Sequence, residues 1–406
     1  MTSISHLIPL LVDGYEDKCK ELGIIQRGRK IKNPADLMLL CLLHLNNGCS
    51  LMDVSEVARL SNIGDFSDVA FMKKFAKCGA WFQWISENLS KVMTANYKSP
   101  TFLANYRPIA FDASTVVEKG ASGRTYRLHY GIDIFGMSST SHKITTQDIG
   151  ETLTNFKLEP GDLAIADRAY GTQNSIVHCL NAGADFVLRL RANHFCLYDA
   201  KGSKVDIISK ISGLKHEETT EVLGFIKSKG IINETNNNNN SDTNYTNDNN
   251  NNSDTNYTND NNNNSDTNNG NLIPVRICVR RKSAVDCEKS KKKLLREKTS
   301  KQRRNVRDKT IKFNEYVVVA TSLSKDITAE EVLETYRLRW QIEILFKRLK
   351  SILDFGELPK KSEESSLAWL NGKLMVALLI EQFLGTSLFF PDDNIHKEHL
   401  ERDKAN

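Results

Sequence analysis

Apolar and polar positions follow a helical spacing through the first hundred residues. Asp36 to Leu45 is a nearly unbroken apolar run, Ser50 to Leu60 is amphipathic, and Ser67 to Phe75 leads into Trp81 and Trp84, with no strand pattern between them. Ser50 to Lys74 has the outline of a helix-turn-helix, with Asn62, Gly64 and Asp65 in the turn and Lys73 and Lys74 presented by the second helix. An ordinary helical bundle fits the same pattern. From Arg107 the texture changes to short β-rich runs. Ile109 to Phe111 ends in Asp112, Tyr126 to Phe135 alternates, Lys143 to Ile149 follows, and Asp162 to Ala166 ends in Asp167. Gln173 to Asn181 has helical spacing and Asp185 to Leu190 reads as another strand.

Further on, Phe313 to Thr321 is a predicted strand, and Thr328 to Glu331 is a capping box that opens one long helix. On that helix Tyr336, Arg339, Glu343 and Lys350 fall within an arc of about 60°, given roughly 100° per residue. Leu338, Ile342, Leu345, Phe346, Leu349 and Leu353 fill the adjacent arc and would pack on a sheet. A polar stripe of this kind is ordinarily a set of helical ion pairs, such as Arg339 with Glu343, worth a few tenths of a kcal/mol. The strand-terminal Asp112 and Asp167 change that balance. Three carboxylates from two strand ends and one helix would form a site for two divalent cations, which could activate a hydroxyl and stabilise a leaving oxygen in phosphodiester cleavage. Three strands, a crossover, a strand, a helix and a strand are also the element order of a ribonuclease-H-like α/β core.

Composition sharpens this picture at two places. Residues 241–252 recur identically at 253–264 and begin again at 265, in a stretch with five Asp and no Lys or Arg, so the rest of the chain is more basic than its net charge of +5. A tract without aliphatic residues cannot offset the entropy of ordering it, and is expected to be a disordered surface loop produced by repeat slippage. Between Arg280 and Lys312, fifteen Lys or Arg stand against four acids, a density suited to phosphate contacts that position DNA without reading its sequence. Eight cysteines without a C-x-x-C pair, no leader-like N-terminus and no apolar run of spanning length imply reduced thiols in a soluble, cytoplasmic protein. His178-Cys179 and His194-x-Cys196 lack the four-ligand spacing of a zinc site.

The spacing Tyr-x(2)-Arg-x(3)-Glu-x(6)-Lys, met by Tyr336, Arg339, Glu343 and Lys350, resembles the hallmark box of one group of bacterial insertion-sequence transposases with a DDE active site. IAFDAST around Asp112 and AIADRAYG around Asp167 resemble that group's first and second boxes. SDVAFMKKFAKCGAW and SLAWLNGKLMVALLIEQ resemble its pre-catalytic helical region and closing helix, and the likeness covers roughly residues 30–385. The resemblance implies an α/β fold: a ribonuclease-H-like core with a β-rich insertion, preceded by a helical N-terminal domain. The expected division is 1–100 for the helical DNA-binding domain, 105–192 and 313–390 for the core, 193–312 for the insertion and 391–406 for a polar tail. Within the insertion lie the Asn/Asp repeat (235–270) and the basic segment (280–312).

By the same resemblance Asp112, Asp167 and Glu343 would be catalytic ligands of two Mg²⁺ ions, with Mn²⁺ able to substitute. Tyr336, Arg339, Lys350 and Arg168 would hold the DNA strand end, with Tyr170 supporting them or only packing, and Trp340 either stacking on a base or packing. The implied partners are the element's terminal inverted repeats and target DNA, engaged as a homodimer, away from any membrane and at the nucleoid. A non-cutting descendant acting as a repressor, and a nuclease without end specificity, are the competing readings. Three intact carboxylates count against the first, and the second has no need of residues 1–100.

Overall fold

The computed structural model describes residues 5–384, apart from 26–29, 46–48, 93–98, 119–122, 137, 192–194, 229–270, 303–306 and 360–361. The Asn/Asp repeat and the polar tail lie outside the described residues. Five helices come first: α1 (Tyr15–Glu21), α2 (Pro34–Leu45), α3 (Leu51–Leu60), α4 (Asp68–Ala76) and α5 (Gly79–Val92). Then come β1 (Arg107–Glu118), β2 (Thr125–Asp133), β3 (Ser138–Thr146), β4 (Asp162–Ala166), α6 (Gln173–Asn181) and β5 (Asp185–Arg189). They are followed by β6 (Leu197–Tyr198), β7 (Lys204–Val205), α7 (Ile207–Ile211), β8 (Thr219–Ser228) and β9 (Asn271–Arg281). The remaining elements are α8 (Ala284–Gln302), α9 (Asp308–Phe313), β10 (Tyr316–Thr321), α10 (Ala329–Arg337), α11 (Trp340–Ile352), β11 (Glu357–Leu358) and α12 (Glu363–Leu384). This is a mixed α/β chain. Its contacts divide it into two units, residues 1–149 with 338–406, and residues 150–337.

In the first unit, α12 is apolar on nearly every side and packs against α2, α4 and α5. Gly372 makes that approach possible, because a Cβ there would meet the Leu45 side chain at 2.7 Å and that of Phe82 at 3.2 Å. Lys373 is buried with its ammonium 4.7 Å from the Trp369 ring centre, an attraction between cation and ring quadrupole. The turn after α3 falls where the sequence indicates, with Asn62 in the left-handed region at φ 56°. Lys73 is exposed as expected. Lys74 is not presented outward: its ammonium donates to the Ile24 carbonyl oxygen at 2.6 Å and closes α4 onto the preceding loop.

The strands of this unit form an antiparallel β3-β2-β1 ladder, with β11 parallel to β1. β1 is longer than its sequence pattern indicates. It runs through Asp112 to Glu118, so Asp112 lies in mid-strand opposite Tyr130 rather than at a strand end. The polar Ser114 and Thr115 hide the continuation in the sequence, yet the alternation persists, with Ser114 and Val116 buried and Thr115 and Val117 exposed. α11 packs on β1, burying Ile342, Leu345 and Leu349, and sets Phe346 edge-on to Tyr130 at 6.4 Å.

In the second unit the strand order is β4-β5-β10-β9-β8-β6-β7. β4 and β5 are parallel, with α6 between them in sequence, and β10, β9 and β8 continue antiparallel. Arg276 of β9 is nearly buried, pairs with Glu221 of β8 at 2.8 Å, and donates to the carbonyl oxygens of Leu323 (2.9 Å), Ser324 (2.5 Å) and Ile327 (3.0 Å). That clamp fixes the loop leading into α10, whose first turn carries the expected capping box: Thr328 N–H to Glu331 at 2.8 Å and Glu331 N–H to Thr328 Oγ1 at 3.2 Å.

The helix opened by that box is not continuous. It is interrupted at Leu338 and Arg339, where Gln341 and Ile342 donate to carbonyls three residues back (3.1 and 3.2 Å) instead of four. Neither Pro nor Gly causes the break. The apolar face of α10 packs on strands of the second unit and that of α11 on β1, and tertiary contacts of this kind override local propensity.

Hairpin pairing of β8 with β9 runs in register from Thr219 opposite Arg280 to Ser228 opposite Asn271, so residues 229–270 leave and re-enter at one hydrogen-bonded pair. Deleting the two repeats at 241–264 is expected to leave the melting temperature unchanged within about 2 °C, since halving a loop alters closure by only about 0.6 kcal/mol. A larger fall in a thermal melt would assign the repeat a structural role.

Candidate active site

Asp112 projects from β1 beside Tyr130 and accepts the Ala113 N–H on Oδ1 at 2.8 Å. Phe346 seats on Tyr130, and Glu343 lies one helical turn before Phe346, so the packing of α11 carries Glu343 toward Asp112. Between the two carboxylates lies the guanidinium of Arg339, at the N-terminal boundary of α11. Its Nη1 is 3.6 Å from Asp112 Oδ2 and its Nη2 is 2.5 Å from Glu343 Oε1. Arg339 and Asp112 are mostly buried, at 13% and 18% side-chain exposure, whereas Glu343 is 46% exposed. Two acids therefore converge on one cation, with the outer acid open to solvent.

Asp167 follows the last residue of the fully buried β4 in the second unit, as the sequence pattern indicates. Its Oδ1 accepts the Ala169 N–H at 2.7 Å, an Asx turn that stiffens the strand end. Gly171 locks this turn against β5, because a Cβ there would fall 2.0 Å from the Arg189 carbonyl oxygen. Gly171→Ala is expected to cost about 2 kcal/mol, because backbone and not a flexible side chain must yield. Thermal unfolding reads this as a fall of several degrees, and an unaltered melt would show that β5 gives way freely.

Arg168 is held mostly out of water, and its hydrogen bond to Asn314 Oδ1 is 3.3 Å. Burial, and next the nearby Arg189, push its guanidinium down to about 10. Tyr336 is buried in α10, with the Arg189 guanidinium 5.9 Å from its ring centre. Tyr170 is fully buried, while Trp340 is 46% exposed, so packing suits the first and an outward role the second. Lys350 is exposed on α11.

The structure thus brings Asp112, Arg339 and Glu343 together in the first unit, and Arg168 with the end of β5 and Tyr336 in the second. Tyr336 does not share an uninterrupted helix with Arg339, Glu343 and Lys350. Among the described residues no group of three or more His, Cys, Asp or Glu is placed to hold a metal ion. The chemistry of the Asp112–Glu343 pair nonetheless suits a hard divalent cation, since carboxylate oxygens are its preferred ligands and an internal cation already draws them together. His178 is engaged elsewhere, 2.9 Å from the Phe156 carbonyl oxygen, and His194 lies outside the described residues. Sequence reasoning overlooked Arg189, and it placed Lys282 within the basic segment Arg280 to Lys312 without singling it out. The available signal for Arg189 was a charged residue closing a strand whose centre is apolar.

Comparison with known proteins identifies the family. The family described as the transposase DDE domain matches residues 110–379. The chain is 28% identical over 382 residues to the transposase for insertion sequence element IS421 of Escherichia coli, covering 93% of this chain and 92% of that protein. It is also 28% identical over 381 residues to the InsL protein of insertion sequence element IS186A of Escherichia coli (strain K12), with the same coverage of 93% and 92%. A shorter match, 36% over 88 residues, joins it to the transposase for insertion sequence element IS1151 of Clostridium perfringens, covering 21% of this chain and 19% of that protein.

Proposed function

The chain belongs to the DDE transposase family, enzymes of DNA cleavage and strand transfer, and from that premise we propose that it cuts and rejoins DNA at the terminal inverted repeats of an insertion sequence. The observation that carries the reading is the pair Asp112 and Glu343 converging on the single guanidinium of Arg339. In this reading Asp112, Asp167 and Glu343 are the catalytic carboxylates of a ribonuclease-H-like core and hold Mg²⁺, for which Mn²⁺ substitutes. Bound divalent ions supply an activated water or 3′-hydroxyl and stabilise the departing oxygen.

The chain's own residues prepare that step. Arg339 neutralises two acids that would otherwise repel each other. Once their charge is met by other cations, its planar fork is released to grip a phosphate through two parallel hydrogen bonds. Tyr336, Lys350 and Arg168 position the strand end. The helical N-terminal region, with Lys73 exposed on α4, binds the inverted repeats. Catalysis takes place in a homodimer assembled on DNA at the nucleoid, which then engages target DNA.

The test uses purified full-length protein and a duplex carrying the sequences that flank its gene. Specific binding followed by Mg²⁺- or Mn²⁺-dependent nicking at the repeat ends is the expected result. Binding without nicking in either metal would identify a non-cutting repressor instead. Nicking indifferent to the repeat, and unchanged on removal of residues 1–100, would identify a general nuclease.

A further inference from the structure

The topology of the second unit collects cations at one end of its sheet. β4 and β5 are parallel, β10 runs against β5 and β9 against β10, so the C-terminal ends of β4, β5 and β9 lie at the same edge as the start of β10. Arg168 follows β4 by two residues, Arg189 ends β5, Lys282 follows β9, and Asn314 precedes β10 by two residues. Asn314 joins two of the cations. Its Oδ1 accepts from Arg168 at 3.3 Å, its backbone oxygen accepts from Lys282 at 2.7 Å, and its Nδ2 donates to the Ser290 carbonyl at 3.0 Å. Lys282 also donates to Ser290 Oγ at 2.7 Å.

These acceptors are all neutral. The neighbouring carboxylate of Glu315 is taken by Arg281 at 3.0 Å, and the buried Nε atoms of Arg168 and Arg189 have no hydrogen-bond partner. Burial, then Arg189 and Arg168, push the Lys282 ammonium down to about 8. Asp167 beside Arg168 and Asp286 near Lys282 offset this charge only in part, since burial and the neighbouring cations are the larger influences on both groups, and a ligand of opposite charge relieves the remaining opposition. Two residues beyond Lys282, α8 begins, with Lys289, Lys291, Lys292, Lys293 and Arg296 along its exposed surface, which favours a polyanion over a lone phosphate.

We infer that Lys282, Arg189 and Arg168 together hold one phosphodiester group of bound DNA, so that the end of β9 supplies a positioning residue, Lys282, remote in sequence from all three acidic boxes. The inference rests on the transposase reading above and adds a phosphate contact to it.

Full-length protein is treated with an acetylating N-hydroxysuccinimide ester, and modification of Lys282 is followed by mass spectrometry. The reaction is run alone, with saturating repeat-end duplex, and with inorganic phosphate at the same phosphate concentration. At least tenfold protection of Lys282 by the duplex, and none by inorganic phosphate, is expected. In parallel, Lys282→Gln and Arg189→Gln should each lower the slope of log affinity against log salt by about 1, the signature of one lost phosphate contact. Unchanged Lys282 labelling in a duplex that demonstrably binds would overturn this site and leave the transposase reading standing. Equal protection by free phosphate would reassign the site to a small anion. Failure of the protein to bind the duplex at all would remove both.

Discussion

Replacing Asp112, Asp167 or Glu343 singly by alanine is expected to lower strand cleavage at the repeat ends at least about 10³-fold while leaving duplex binding within about twofold. The magnitude follows from charge stabilisation by bound metal, worth several kcal/mol in the transition state, at one factor of ten per 1.36 kcal/mol. Binding is spared because, in the proposed reading, it resides in the basic surfaces and the N-terminal helices. Unfolding does not confound the reading for Glu343. Its pairing with Arg339 is a half-exposed i, i+4 contact worth no more than about 0.5 kcal/mol. Arg339→Ala separates the roles further: strand-end handling should weaken while metal titration measured by calorimetry is preserved. An Asp112→Ala enzyme that nicks at the unmodified rate would remove the acid from the site.

Arg276→Ala should be strongly destabilising to the second unit, at about 3 kcal/mol, chiefly because it strands buried carbonyls, the ion pair with the part-exposed Glu221 adding little. The guanidinium pairs with Glu221 and serves three carbonyls in the loop that precedes α10, so its removal leaves the buried carbonyls of Leu323 and Ile327 without donors, whereas water can reach Ser324 and Glu221. A fall of about 10 °C in melting temperature is expected. Arg276→Lys keeps the charge but not the fork, and should lie in between. A melt within about 1 °C of the parent would mean that the loop is held by its backbone and packing alone.

Much of this arrangement could be read from the chain. β4 and α6 have the limits that apolar runs and turn residues suggested, and the Thr328–Glu331 box opens α10 as its side-chain chemistry requires. The i, i+4 relation of Arg339 and Glu343 was likewise visible. What escaped depends on tertiary partners. Ser114 and Thr115 mask the second half of β1, because polarity alone does not say which positions another strand will pair. The interruption at Leu338 and Arg339 has no local Pro or Gly signal, and it falls where α10 and α11 pack on different strands. Lys74 looked like a nucleic-acid contact until the Ile24 carbonyl was found to occupy it. Arg189 and Lys282 lie on other elements than Arg168, and the parallel pairing of β4 with β5 together with the antiparallel order of β5, β10 and β9 gathers them.

The closed register of β8 and β9 bears on the gene as well as the protein. Every repeat unit between Ser228 and Asn271 is a whole number of codons, and the flanking pair stays the same however many units intervene. Copying errors that add or drop a unit keep the reading frame and both ladder partners, so alleles of different length should encode the same hairpin, and selection would have little purchase on them.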